Sequence, residues 1–187
     1  MPEKLTTEYI AAVYWRKFTK KEWKKQLKQY LKKEPKKLKL KKEIELNLLS
    51  IVTMLFDINA IFGETKTCQG IKFALFYYLS EEFNKMYGFD TEKFFKWLHN
   101  RFILYKKAFN TPHPNGPPYM IGKTFAELLN VPKSAAYSYE GCLWFTAQSN
   151  KKAYQDIFNQ YEIVIDENTK RAMEEQPDFA KNLFLNE

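Results

Sequence analysis

From Ile44 onward, apolar residues recur at Ile44, Leu48, Ile51, Val52, Leu55, Ile58 and Phe62, an alternation of four and three that fits one long helix and nothing strand-like. The pattern predicts a helix from about Glu43 to Phe62, stopped by Gly63. So apolar a helix must be covered on several sides, so the rest of the chain has to supply helices to pack around it. Its richest stretch, Leu48 to Phe62, is shorter than a bilayer span and carries Asp57 and Asn59. That favours a core helix over a membrane helix, and no transmembrane segment is expected.

The covering helices can be read on both sides of it. Thr6 or Thr7 is placed to cap a first helix with Ile10, Val13, Tyr14 and Phe18 on one side. Thr19 and Glu22 have capping-box spacing, with Phe18 and Trp23 as a hydrophobic staple, so a second helix is expected from Lys20 to about Lys33, before Pro35. Trp23, Leu27, Tyr30 and Leu31 share one face of it. A further helix, near Ile71 to Met86, uses Ile71, Leu75, Tyr78, Leu79 and Phe83 and stops at Gly88, with Phe89 over its end. Asp90 then caps a helix that turns Phe94, Phe95, Leu98, Phe102, Tyr105 and Phe109 inward. The fold class is therefore mainly α, with a helical bundle over residues 1–110 that a chain of 187 residues is long enough to bury.

The run "NTPHPNGPPYMIG" is dense in Pro and Gly, is read as irregular, and marks a boundary before a smaller subdomain, residues 111–187. In it, "CLWFTA" and "YEIVID" (Tyr161 to Asp166) are candidate strands of a short hairpin around a helix from about Lys151 to Tyr161. Asp166 and Asp178 are expected to cap two short C-terminal helices separated by Pro177.

Charge is unevenly placed. Between Lys17 and Lys42 stand thirteen lysines against Glu22 and Glu34, a local balance of +11 in a chain whose net charge is +8, so the remainder is slightly acidic. The excess of Lys over Arg, 27 to 3, with abundant Phe, Tyr, Asn and Ile, is what AT-rich codons produce, but codon bias does not gather lysines into one segment. On the second helix Lys21, Lys24, Lys25, Lys28 and Lys32 fall in a stripe opposite the apolar face. A stripe of like charge repels itself and is relieved by an anionic partner: nucleic acid first, then an acidic protein surface or an anionic membrane. Tyr14, Trp15, Trp23 and Tyr30 are interleaved with this region, a pattern used for stacking on bases, but their positions follow the apolar face and place them in the core by preference.

A second candidate is "TFAELLNVPKSAAYSY", Thr124 to Tyr139. Phe125 and Leu129 lie one turn apart, Ala126 is a small residue for a close helix contact, and Asn130 tolerates the left-handed turn. Thr124 and Glu127 have capping-box spacing, and Val131, Ala136 and Tyr139 complete an apolar set. Within residues 122–141, the piece "NVPKSAAYSY" resembles the second half of the DNA-binding motif of TetR-like regulators and other helix-turn-helix proteins. The resemblance implies DNA binding through the second helix, with Lys133, Ser134, Ala135, Tyr137 and Ser138 outward; an αα-corner of purely structural use is the alternative. With no arginine on that helix, phosphate contacts are favoured over strict base readout.

Catalytic and cofactor chemistry has little to stand on. Cys68, Cys142, His99 and His113 lack the close pairs of a zinc site, "EWK" at Glu22 to Lys24 has no acidic strand before it, and phosphate-loop and nucleophile-elbow motifs are missing. No catalytic residue, metal or cofactor is therefore assigned. Two lone cysteines and a polar N-terminal stretch lead to the expectation of a cytoplasmic protein. The sequence thus points to a non-catalytic nucleic-acid-binding protein, DNA favoured, acting as a regulator or accessory factor. A small phage or mobile-element inhibitor that binds an acidic surface is the alternative.

Overall fold

In the computed structural model, residues 3–131 and 135–175 are described, the side chains of Phe18 and Thr19 excepted. Nine helices and two three-residue strands occur among them, and the protein is mainly α. The apolar repeat forms α3, Lys36–Phe62, which begins eight residues before the repeat does because Pro35 offers its carbonyl to Leu38 and Lys39 N–H groups. Leu46, Leu48, Leu49, Ile51, Val52 and Ile58 are fully buried on it. By length and composition α3 is the one helix among the described residues suited to crossing a bilayer, yet most of its apolar stretch is buried against protein.

The fold comprises two compact units, and neither is one stretch of chain. One takes in the described parts of Met1–Thr19, Leu55–Trp97 and Asn150–Glu187; the other takes in those of Lys20–Met54 and Leu98–Ser149. The sequence boundary at 110–111 thus falls inside the second unit. The reason is that α3 and α5, Thr91–Asn110, are each long enough to supply residues to both.

In the first unit, β1 (Lys4–Thr6) leads into α1 (Thr7–Thr19), and α4 (Lys66–Tyr87) packs along α1. Thr65 caps α4 through its hydroxyl, and Gly88 ends it in the left-handed conformation at φ 65°, with Phe89 buried over the end. A β-carbon on Gly70 would stand 3.3 Å from the methyls of both Thr7 and Thr169, which shows how closely α4 approaches α1 and α9 (Glu167–Glu174). After α8 (Lys151–Phe158), β2 (Glu162–Val164) pairs with β1 in parallel, Leu5 opposite Ile163. The expected hairpin does not form: Cys142–Ala147 lies inside α7 (Ala135–Gln148), and the partner of β2 is the chain's first strand. Asp166 does cap α9, accepting from the Thr169 N–H at 2.8 Å, whereas the second C-terminal helix, with Asp178, lies outside the described residues.

In the second unit, α2 (Lys21–Leu31), the first part of α3, the last part of α5, α6 (Gly116–Leu129) and α7 share a core. The proline run is not irregular throughout. Pro117 and Pro118 occupy the first turn of α6, where a missing N–H costs nothing and φ is already helical. On α5, Phe94, Phe95, Leu98, Phe102 and Tyr105 are buried as their spacing requires, but Phe109 is 42% exposed, because it stands in the final turn.

Candidate nucleic-acid interface

Helix α2 forms because apolar and basic residues alternate at helical spacing. Trp23, Leu27 and Leu31 are buried, while Lys21, Lys24, Lys25, Lys28 and Lys32 are all exposed. The N-cap is not the expected Thr19: Thr19 is the last residue of α1, and Lys20 is the N-cap of α2, with no side-chain bond. At about 100° and 1.5 Å per residue, the five lysines cover an arc of about 100° and a length of about 16 Å. None of the five makes an ion pair among the described residues. Lys33, Lys36, Lys37 and Lys39 extend the exposed charge through the turn into α3. The first turn of α3 holds no acid, so these cations sit at the positive end of its dipole, an arrangement that repels internally and favours an outside anion.

The opposite face of α2 is fixed on α7. The Trp23 ring meets Trp144 edge-on at 4.8 Å, and Tyr30 meets it at 4.9 Å. Trp144 donates its indole N–H to the Leu46 carbonyl at 3.0 Å and to Ser50 Oγ at 2.8 Å on α3. A buried ionic cluster closes the same junction. Lys42 Nζ, fully buried, donates to Glu34 Oε1 at 2.7 Å and to the Tyr30 carbonyl at 3.0 Å. It also pairs with Glu140 Oε2 of α7 at 2.6 Å and lies 5.1 Å from the centre of the Tyr137 ring. Tyr137 donates its hydroxyl to Glu34 Oε2 at 3.0 Å. Burial, then the hydrogen bond and charge of Glu34, raise the Tyr137 hydroxyl above the ordinary tyrosine range. For Tyr30, burial and Glu140 push upward and outweigh the opposing Lys42. Lys41, next in sequence, donates to the Leu129 carbonyl at 2.9 Å and so satisfies the C-terminal end of α6.

The second candidate, the α6–α7 corner, has the left-handed turn residue in place: Asn130 ends α6 at φ 54°, ψ 40°. Its helices meet elsewhere than the sequence suggests. Thr124 is an interior residue of α6, not its cap, and the close approach is at two glycines. A β-carbon on Gly122 would lie 2.0 Å from the Ser138 carbonyl oxygen, and one on Gly141 would lie 2.8 Å from the Phe125 ring. Phe125, Ala126 and Leu129 are buried, but Ala136 and Tyr139, assigned to the core, are exposed, Tyr139 by 64%. Of the residues assigned outward, Ala135 is exposed, Tyr137 and Ser138 are half-buried with Tyr137 bonded inward, and Lys133 and Ser134 lie outside the described residues. The face assignment is rotated because the contact stripe runs through Gly141, Trp144, Phe145 and Gln148.

The aromatic residues interleaved with the lysines are occupied by packing. Tyr14 is buried 4.6 Å from the Tyr154 ring, and Trp15 stacks on Tyr78 at 5.5 Å. Among the described residues no group of three His, Cys, Asp or Glu side chains is gathered as a metal donor set. Cys68 is buried with its sulfur 3.4 Å from Asn59 Oδ1, and His113 stacks on Tyr119 at 4.4 Å. The residues that sequence reasoning missed are Lys42, Glu34 and Glu140. Their pairing joins the turn between α2 and α3 to α3 and α7, and Lys42 stands at the end of a lysine run that gives no sign of which member turns inward. Comparison with family models, curated proteins and solved structures yields no match.

Proposed function

We propose that this protein binds nucleic acid without catalysis, as a regulator or accessory factor, and that DNA phosphates are met by Lys21, Lys24, Lys25, Lys28 and Lys32. The observation that supports this reading is a row of exposed, unpaired lysines on a helix whose other face is locked into the core. Such a row gains from releasing the counterions of a phosphate backbone. The α6–α7 corner serves as its foundation more than as a reader, since Tyr137 is tied to Glu34 and the outward residues Ala135, Ala136 and Tyr139 carry no charge. Fluorescence anisotropy with labelled DNA at two salt concentrations tests the reading. Binding that weakens steeply with salt, and whose affinity and salt dependence both drop when Lys24, Lys25 and Lys28 become Gln, is expected; salt-insensitive or absent binding would sink it.

A second reading has its own observation. Tyr139 and Leu143 are exposed on successive turns of α7, and such an apolar pair suits a protein partner with an acidic rim. In that case the triple Gln variant loses an acidic protein partner and the wild type binds no nucleic acid.

A further inference from the structure

We infer that the lysine face of α2 is built for double-stranded DNA, gripped along its phosphates, and not for a single strand; this rests on the reading of that face as a nucleic-acid surface. Three features of the helix lead there. The first is the fate of its aromatic residues. Proteins that hold single strands combine cations with exposed rings on which bases stack. On α2 both rings that could do so face away from the lysines: Trp23 is 5% exposed, and it and Tyr30 are turned edge-on to Trp144. The lysine face therefore offers charge and no stacking surface.

The second feature is rigidity. The apolar side of α2 is held by the Trp144 contacts, and its last turn and the chain just beyond it by the bonds from Lys42 to the Tyr30 carbonyl and to Glu34. A row about 16 Å long on a fixed helix is preorganised for a partner whose phosphates are also fixed, whereas a flexible strand would have to be ordered on binding. The third is charge density. Five contacts with duplex carry a salt slope of about −4.5, against about −3.5 for a single strand, because the duplex holds its counterions more densely. A slope difference of about 1 is worth about tenfold in affinity for each tenfold reduction in salt. With no arginine or asparagine on this face, contacts to phosphate dominate and sequence preference is slight.

The test compares a short DNA duplex of mixed sequence, a second duplex of unrelated sequence and the separated strands of the first, by anisotropy across a salt series, using the full chain. Expected are closely similar affinities for the two duplexes, affinity for duplex about tenfold or more above that for either strand at low salt, and a duplex slope flattened by about 2.7 in the Lys24→Gln, Lys25→Gln, Lys28→Gln variant. A circular dichroism melt like that of wild type shows that the variant is folded. Single strands binding as well as duplex would overturn the inference while leaving the nucleic-acid reading in place. No binding to any of the probes would overturn that reading, and the inference with it. A duplex preference that survives intact in the triple variant would move the site off α2 and overturn the inference.

Discussion

The α-carbon of Gly122 on α6 sits so near Ser138 on α7 that a β-carbon would fall 2.0 Å from the Ser138 carbonyl oxygen. Backbone touches backbone at this crossing, and neither a side chain nor water can be inserted. Gly122→Ala should therefore force the two helices apart and destabilise the protein by about 1–3 kcal/mol or more, as overpacking does. Urea denaturation followed by circular dichroism would show a lower midpoint. An unchanged midpoint would mean the helices separate freely and that the corner is no fixed foundation for α2.

Lys42 and Lys24 stand in the same lysine-rich segment and should respond in opposite ways. Truncating Lys42 leaves Glu34 and Glu140 facing each other without their cation, so Lys42→Ala should destabilise by about 3–5 kcal/mol, the range for breaking a buried ion pair. Lys24→Ala on the exposed face should change stability by less than about 0.5 kcal/mol. Comparable denaturation midpoints for the two variants would show that the cluster is not the tie it is described to be.

The contrast shows where the sequence was legible. Periodicity placed α2, α3, α4 and α5 and chose the buried face of each, because each covers its apolar stripe whatever neighbour it meets. Gly88 and Asp90 marked a stop and a start because their effects are local. Long-range facts escaped. Cys142–Ala147 has strand-like residues, yet it became helix because Trp144 reaches Leu46 and Ser50 from a helical face. The strand pairing of Leu5 with Ile163 joins segments whose separation in sequence gives no local signal. Where α6 and α7 cross, Gly122 and Gly141, not the alanines, chose the contact stripe, which turned Ala136 and Tyr139 outward. The lysine stripe was legible since exposure needs no partner; Lys42 was not, since its burial depends on Glu34 and Glu140.

Asp166 joins the two ends of the first unit. Its Oδ2 accepts from Thr7 Oγ1 at 2.9 Å, from the Glu8 N–H at 3.1 Å and from Thr169 Oγ1 at 2.9 Å, while Oδ1 accepts from the Thr169 N–H at 2.8 Å. Burial raises its carboxyl pKa, but the hydrogen bonds from Thr169, Thr7 and Glu8 outweigh it and hold the value below the ordinary Asp range. A lowered folded value means the ionised form contributes stability above the unfolded pKa, about 3.9, which is lost as pH falls through the folded value. Asp166→Ala, which removes caps from α1 and α9, should cost about 1–2 kcal/mol at neutral pH. For Asp166→Asn the deficit against wild type should shrink as the pH drops below about 4. A deficit constant from neutral to acid would refute the ionic account, as thermal melts at several pH values can show.

At the alkaline end the relevant groups are Tyr14 and Tyr105, both fully buried, whose hydroxyls have no hydrogen-bond partner among the described residues. Burial first, and then neighbouring negative charge, from Asp57 for Tyr14 and from Glu45 for Tyr105, raises both hydroxyls far above the usual range. Folded, these tyrosines stay neutral; unfolded, they ionise near pH 10, so the unfolded state binds fewer protons and stability falls as pH rises above about 10. Tyr14→Phe removes one such group together with a buried hydroxyl that makes no bond, so at neutral pH it should be neutral or stabilising by up to about 1 kcal/mol. Above pH 10 it should unfold later than wild type, because one fewer tyrosine draws the equilibrium toward the ionised, unfolded chain. Alkaline titration with circular dichroism gives the midpoint directly. A Tyr14→Phe variant that is less stable at neutral pH would mean the hydroxyl has a partner, and one with the wild-type alkaline midpoint would mean that Tyr14 does not govern this transition.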